Sequence, residues 1–141
     1  MNRDEQLKQL VGGIQADLAD CRRLSALLEQ QWHFVLLHDV QRLEQVRTAI
    51  LSLTEQLERH REVRVKQVVN LLGIAEGGAM SKVWALLPNN ARVLCERLWT
   101  QLTDEVAHCK RLNTRNGQLM VMQQELIERI LFGESNVYVP F

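Results

Sequence analysis

One long stretch, residues 89–132, constrains this chain more than any other part of its sequence. It contains no proline, and Gly117 is its only glycine, so little in it opposes an α-helix. Gly133 and polar residues follow, which predicts that the helix ends at Phe132. At 1.5 Å per residue the helix would be about 65 Å long. A chain of 141 residues cannot surround such a helix with its own core. The helix must therefore pack against other long helices and keep part of its surface for a partner.

A seven-residue repeat runs through the same stretch and is typical of helices that pack as a coiled coil. Its first core positions are Cys95, Leu102, Cys109, Asn116, Gln123 and Ile130. Its second core positions are Leu98, Glu105, Leu112, Leu119 and Leu126. Four neighbours widen this seam into an apolar stripe: Trp99, Val106, Met120 and Ile127.

Two further long helices are predicted before this one. In the first, about residues 2–37, apolar residues recur every three or four positions, at Leu7, Leu10, Ile14, Leu18, Cys21, Leu24, Leu28, Trp32 and Val35. Gly12 and Gly13 lie inside it and predict a bend or a close helix contact. Asp39 is the expected N-cap of the second helix, about residues 40–72.

Glycines punctuate the chain after the second helix. Gly73 closes that helix, and the three glycines in residues 73–81 predict a loop or hinge. Residues 83–87 favour a short helical turn, and residues 133–141 form a short tail. The sequence thus predicts a single all-α domain over residues 1–141. We expect an elongated antiparallel bundle of three long helices, about 2–37, 40–72 and 89–132, with coiled-coil-like packing.

Charge and hydropathy exclude several classes of partner. Seventeen basic residues balance seventeen acidic ones, so no net charge draws the molecule to nucleic acid or to an anionic membrane. The longest apolar run, residues 34–37, is far too short to cross a bilayer. We expect a cytoplasmic protein with no direct membrane insertion. Basic residues do cluster at 59–66, and we favour a solvated helix face there over a docking patch.

No motif of the sequence predicts an enzyme. It has no phosphate-binding glycine loop and no nucleophile elbow. No two histidines share the helical spacing that would aim both at one metal ion. The three cysteines, Cys21, Cys95 and Cys109, have no paired spacing, and a single Cys at a heptad core position is more often a small buried apolar residue. We expect no catalytic residue, metal or cofactor.

Two polar residues at core positions of the seam, Asn116 and Gln123, leave two interpretations open. A buried amide needs a hydrogen-bonding partner, or it costs about 1–3 kcal/mol. In one interpretation the two amides fix the register against the chain's own helices. In the other, this half of the helix is only partly covered and receives the amphipathic helix of another protein. Met120 and Met122 suit an adaptable surface of the second kind.

The sequence around Asn116 resembles a known family. The run LNTRNGQL over residues 112–119, then Gln123 or Gln124 and an Ile/Leu-rich helix end, is similar to the C-terminal signature of the FlgN flagellar export chaperones. Tyr138 stands where that family carries a Tyr in its tail. The resemblance implies an all-helical, non-enzymatic chaperone that binds the C-terminal helices of the hook-filament junction proteins, of FlgK and FlgL type. Its other partners would be components of the export gate and of the ATPase complex.

The resemblance also implies site residues. It assigns client binding to Asn116, Gly117, Leu119, Gln123, Leu126 and Ile130, and the spacing adds Met120 and Ile127 on the same stripe. Docking to the export gate falls to Tyr138. Two rival functions remain at this stage: a chaperone of a related type III secretion system, and a structural coiled coil that oligomerises through its exposed stripes.

Overall fold

The computed structural model of the chain describes residues 1–74 and 78–138, and it describes side chains as far as residue 132. Four helices follow one another: α1 (Arg3–Leu36), α2 (Val40–Leu72), α3 (Ala79–Trp84) and α4 (Asn89–Tyr138). No strand occurs in these ranges, so the predicted all-α class is confirmed. In the described ranges the three long helices that the sequence predicts are accompanied by one short helix, α3. None of the described helices is long and apolar enough to span a membrane.

Local capping explains where the first two helices begin and end. The Asn2 side chain accepts a hydrogen bond from the Glu5 amide at the start of α1. The Asp39 side chain accepts one from the Arg42 amide, which confirms the predicted N-cap of α2. Gly73 adopts a left-handed φ of 80° and ends α2, as expected. Between α1 and α2, His38 also has a positive φ, 52°, and closes a tight turn.

The first helix is the centre of the fold. α1 packs against both α2 and α4, whereas no Cα atom of α2 lies within 8 Å of one in α4 in the described ranges. Contacts between Asp17 and His60 and between Asp20 and Gln56 make α1 and α2 antiparallel. α4 runs parallel to α1. The shared core includes Leu10, Ile14, Leu28, Leu53, Val83, Trp84, Leu102 and Leu112.

Several boundaries and contacts differ from the sequence prediction. The short helix covers Ala79–Trp84 rather than residues 83–87, because Val83 and Trp84 both enter the core. α4 does not end at Phe132 but continues through Gly133 to Tyr138. A single helical glycine costs only about 1 kcal/mol, too little to end a helix by itself.

The predicted close contact at Gly12 and Gly13 is wrong. α1 continues through both residues, and a Cβ added at either one would meet nothing within 4 Å. Residues 75–77 of the predicted loop and residues 139–141 of the predicted tail lie outside the described residues.

Candidate functional site

Three side chains of α4, each seven residues after the last, donate hydrogen bonds to backbone carbonyls of α1. Cys109 Sγ donates to Cys21 at 3.2 Å, Asn116 Nδ2 to Leu28 at 2.7 Å, and Gln123 Nε2 to Val35 at 3.3 Å. The offset between the two helices is 88 residues in all three pairs. This repeat fixes the register and the parallel direction of α1 and α4.

Asn116 lies at the centre of this interface. It is 1% exposed, and its Nδ2 also donates to Gln31 Oε1 at 2.9 Å. Its Oδ1 accepts from the guanidinium of Arg115, which reaches Glu29 on α1 and lies over the Trp32 ring at 4.2 Å. The amide therefore has its partners within the chain, as the register interpretation requires.

The apolar stripe of α4 extends beyond the end of α1. Val35 is level with Gln123, and α1 ends one residue later, at Leu36. α4 continues to Tyr138, which adds about 20 Å of helix at 1.5 Å per residue. We call residues 124–138 the overhang. The side of α4 that contacts α1 through Cys109, Asn116 and Gln123 continues into the overhang. There it exposes Leu126, Ile127 and Ile130.

Other apolar side chains near these three are exposed on more than one side of α4. Met120, Val121, Met122, Leu131 and Phe132 are also exposed. At about 100° per residue, Glu125, Glu128 and Arg129 fall on the side of α4 turned away from α1. Val121 and Phe132 fall on this same outward side. Met120 and Leu131 instead flank the first three residues and extend their apolar surface, which is of the kind that marks a protein interaction site.

The sequence-predicted site residues therefore divide between two environments. Asn116 is buried, and Leu119 and Gln123 are half-buried against α1. Met120 and Gly117 are exposed at the edge of the α1–α4 interface. A Cβ added at Gly117 would meet nothing within 4 Å. The remaining three are Leu126, Ile127 and Ile130, on the overhang. Tyr138 is the last residue of α4, and its side chain lies outside the described ones.

A polar cluster between α1 and α2 was not predicted. Asp17 is 2% exposed, and its two carboxylate oxygens accept hydrogen bonds from His60 Nδ1, at 2.7 Å, and from Arg64. Asp20 accepts from Gln56 and Arg23. Part of the basic run at 59–66 thus holds α1 against α2 instead of facing solvent. The sequence does carry a signal for this cluster. Asp17 lies three residues after Ile14 and four before Cys21, so its carboxylate falls within the apolar stripe of α1.

The same cluster has the composition of a metal site. The ligand atoms of Asp17, Asp20 and His60 lie within 4.8 Å of one another. Each carboxylate oxygen already accepts a hydrogen bond from a side chain of the protein, and Arg64 supplies a positive charge to Asp17. The cluster is therefore satisfied as an ion-paired contact between helices.

A groove runs along α1 because the backbones of α2 and α4 stay more than 8 Å apart above it. It encloses about 650 Å³, and its lining is mainly apolar, with Leu24, Ile50 and Val106 among its residues. The Arg64 guanidinium lies over the Trp99 ring at 5.7 Å and bridges α2 to α4 beside Asp17.

The thiols have no catalytic character. Burial, with a smaller effect from neighbouring Cys109 and carboxylates, raises the pKa of Cys21 to about 12. Burial likewise raises the pKa of Cys109 to about 11 and that of Cys95 above its ordinary value. All three remain protonated near neutral pH, and a protonated thiol is a poor nucleophile.

Comparison with known proteins identifies one family. The family described as FlgN protein matches residues 1–132, which is most of the chain. No curated protein and no solved structure matches it. The matched family consists of chaperones and not of enzymes. The chain belongs to the FlgN family of flagellar export chaperones.

Proposed function

We propose that this protein is a cytoplasmic chaperone that binds the C-terminal helices of hook-filament junction proteins, of FlgK and FlgL type, and delivers them to the export gate. Family membership supports the general role. The observation that carries the finer proposal is the overhang, where the packing stripe of α4 continues after α1 has ended. A helix that exposes a packing stripe is prepared to receive another helix.

The proposed client site has anchors with the spacing that helix recognition requires. Leu126, Ile127 and Ile130 are separated by one, three and four residues and lie on one side of α4. Burial of their apolar surface by a client helix contributes about 25 cal/mol per Å². Leu119 and Met120 extend the surface toward the bundle.

Asn116 and Gln123 have a different part in this proposal. Their hydrogen bonds to α1 set the register, and the register sets how much of α4 remains uncovered. Asn116 therefore supports the client site from within the bundle, while Gln123 borders it.

The proposal is tested with Leu126→Asp and a matched control. Leu126 is 52% exposed and Leu51, on α2, is 50% exposed, so neither substitution buries a charge in the free protein. In calorimetric titration with a C-terminal peptide of a junction protein, Leu126→Asp should weaken binding at least about tenfold. Leu51→Asp should not change the affinity.

Thermal melts complete this experiment. Leu102 is 3% exposed, and Leu102→Asp should melt the free fold at a much lower temperature, whereas Leu126→Asp should not. If Leu126→Asp leaves the affinity unchanged, the overhang is not the client site. In that case Val106→Asp, placed in the groove along α1, tests the next surface.

Delivery to the gate is assigned to the end of α4. Tyr138 follows the client anchors by eight residues or more, so a docked client leaves the end of the helix free. Tyr138→Ala should keep client affinity and melting temperature while export of the junction protein fails. A fall in client affinity would place Tyr138 in the client site instead.

Self-association is the second candidate role, and the same exposed stripe motivates it. A structural coiled coil would oligomerise through the overhang without any client. Light scattering of the free protein separates the two roles, because the chaperone proposal expects a client-dependent increase in mass.

A further inference from the structure

The turn between α1 and α2 exposes three neighbouring apolar side chains. Leu37 and Val40 are 72% and 71% exposed, and Leu36 beside them is about half exposed. We call these three residues the turn shelf. Nothing in the packing of the free chain accounts for them, because the core lies below the turn.

The turn shelf lies at the base of the overhang. Gln123 Nε2 donates to the Val35 carbonyl, which places the last turn of α1 beside the start of the overhang. Because α1 and α4 are parallel with an offset of 88 residues, Leu37 is level with Glu125. The next residue along α4 is Leu126, the first apolar anchor of the overhang.

The shelf is held in a fixed conformation. The Leu37 amide donates to His33, the His38 amide to Val35, and the Asp39 amide to Phe34. The charged group next to the shelf is already partnered, since Arg42 pairs with Asp39 at 3.6 Å and lies over the Phe34 ring at 5.8 Å. The shelf therefore offers an apolar, preorganised contact.

We propose that the bound client helix occupies the line of α1 beyond the end of α1, with one end resting on the turn shelf. This inference rests on the proposed function and defines the position and length of its ligand. It follows from continuity with the α1–α4 interface, because the stripe that packs on α1 through Cys109 and Leu112 continues to Ile127 and Ile130. A helix that covers this continuation lies in the direction of α1, and it must meet the last turn of α1.

The geometry sets the features of the ligand. It is an amphipathic helix whose docked part has two to three turns, because residues 124–132 of the overhang span about 13 Å, a turn rises 5.4 Å, and Tyr138 at the end of α4 stays free. Its apolar stripe faces α4, and at least one apolar side chain stands at the end nearest the bundle, where it covers Leu37 and Val40.

Polar substitutions on the shelf test the contact. Leu37→Gln and Val40→Asp should each weaken the junction-protein peptide about tenfold, the loss expected for one buried aliphatic side chain. Val40 is the first residue of α2, where an acidic side chain suits the helix dipole, so the fold should stay intact. Leu51→Asp is the control away from the surface.

The outcomes separate this inference from the function on which it rests. If Leu126→Asp weakens binding and both shelf variants bind as tightly as the natural chain, the end-on contact is wrong and the chaperone proposal stands. If Leu126→Asp has no effect, the overhang is not the client site, and both the end-on contact and the proposed placement of the client are wrong. If the shelf variants abolish a dimer that forms without peptide, the occupant is a second copy of this chain, and the inference is overturned.

The position of the peptide is tested by energy transfer. An acceptor on Leu37→Cys, in a Cys95→Ala background, reports the distance to a donor on either end of the peptide, while Cys21 and Cys109 remain buried. One end of the docked part should lie close to the turn, and the other about 13 Å away. Equal transfer from both ends would place the peptide across α4 and overturn the inference.

Discussion

The side-chain amide of Asn116 donates a 2.7 Å hydrogen bond to the backbone carbonyl of Leu28. This bond connects the fold to the proposed function, because the register of α4 against α1 determines the length of the overhang. A shift of one heptad would change the uncovered length by about 10 Å. It would also break the bonds that Cys109 and Gln123 make with α1.

Replacement of Asn116 by Ala should lower the free energy of unfolding by about 2 kcal/mol, because two hydrogen bonds to α1 are lost and Gln31 loses a partner. Chemical denaturation of the free protein measures the effect. Asn113→Ala is the control, since Asn113 is exposed on the same helix and Ala is the better helix former. Equal midpoints for the two variants would contradict the register role.

The Asp17–Arg64 pair gives a second prediction. Asp17→Ala should destabilise the fold by about 3 kcal/mol, because it leaves the poorly exposed Arg64 guanidinium without its carboxylate. The double variant Asp17→Leu/Arg64→Met should recover much of this loss, since an apolar pair replaces both charges. The exposed Glu58–Arg61 pair is the control, and Glu58→Ala should hardly change the midpoint. A double variant as unstable as Asp17→Ala would show that charge pairing is not the cause.

The spacing of apolar residues was sufficient to predict which faces of the long helices are buried. Leu102, Cys109 and Leu112 lie in the core as the heptad frame predicts, and the caps at Asp39 and Gly73 are confirmed. Periodicity could not show which helices contact each other. An apolar stripe identifies the buried side of its own helix but not the helix that covers it. The central place of α1 and the parallel α4 therefore emerge only from contacts such as Asn116 with Leu28.

The differences at helix ends have energetic causes. The free energy gained by burying Val83 and Trp84 outweighs the helix penalty of the glycines before them. The short helix α3 therefore begins at Ala79, before the predicted residues 83–87. Gly133 has too small a helix penalty to stop α4, and prediction from that residue alone ended the helix too soon. The sequence could not predict that the site divides between the α1–α4 interface and the overhang. That division depends on where α1 ends relative to α4, which only the contact between Gln123 and Val35 shows.

We predict that the free energy of unfolding falls at alkaline pH, because the thiols of Cys21 and Cys109 are buried. The folded-state pKa of Cys21 is about 12 and that of Cys109 about 11, against an ordinary value of 9.0. Because the folded values are raised, this stabilisation is fully present below pH 9 and is lost as the pH rises toward 11 to 12. Each thiol should lower the free energy of unfolding by up to about 1.4 kcal/mol per pH unit in that window.

Denaturation between pH 8 and pH 11 measures this slope. The double variant Cys21→Ala/Cys109→Ala should flatten it, whatever its stability at neutral pH, while Cys95→Ala should keep most of it because Cys95 is only half-buried. A slope that persists unchanged in the double variant would assign the alkaline loss to other groups.

Gly117 gives the last prediction, because the free protein has no evident need for glycine there. A Cβ at this position would meet nothing within 4 Å, and the same is true at Gly13. Each residue lies within a helix, so Gly117→Ala and Gly13→Ala should both stabilise the fold by about 1 kcal/mol. Gly117 is level with Glu29 of α1, so the backbone of the client approaches it only if the client continues along α4 past the turn shelf, and the two variants then differ in binding. Gly117→Ala should then weaken the junction-protein peptide, whereas Gly13→Ala should leave its affinity unchanged. Thermal melts and calorimetric titration of the pair measure both effects. Equal affinities would remove Gly117 from the client site and confine that site to the side chains of the overhang and its border.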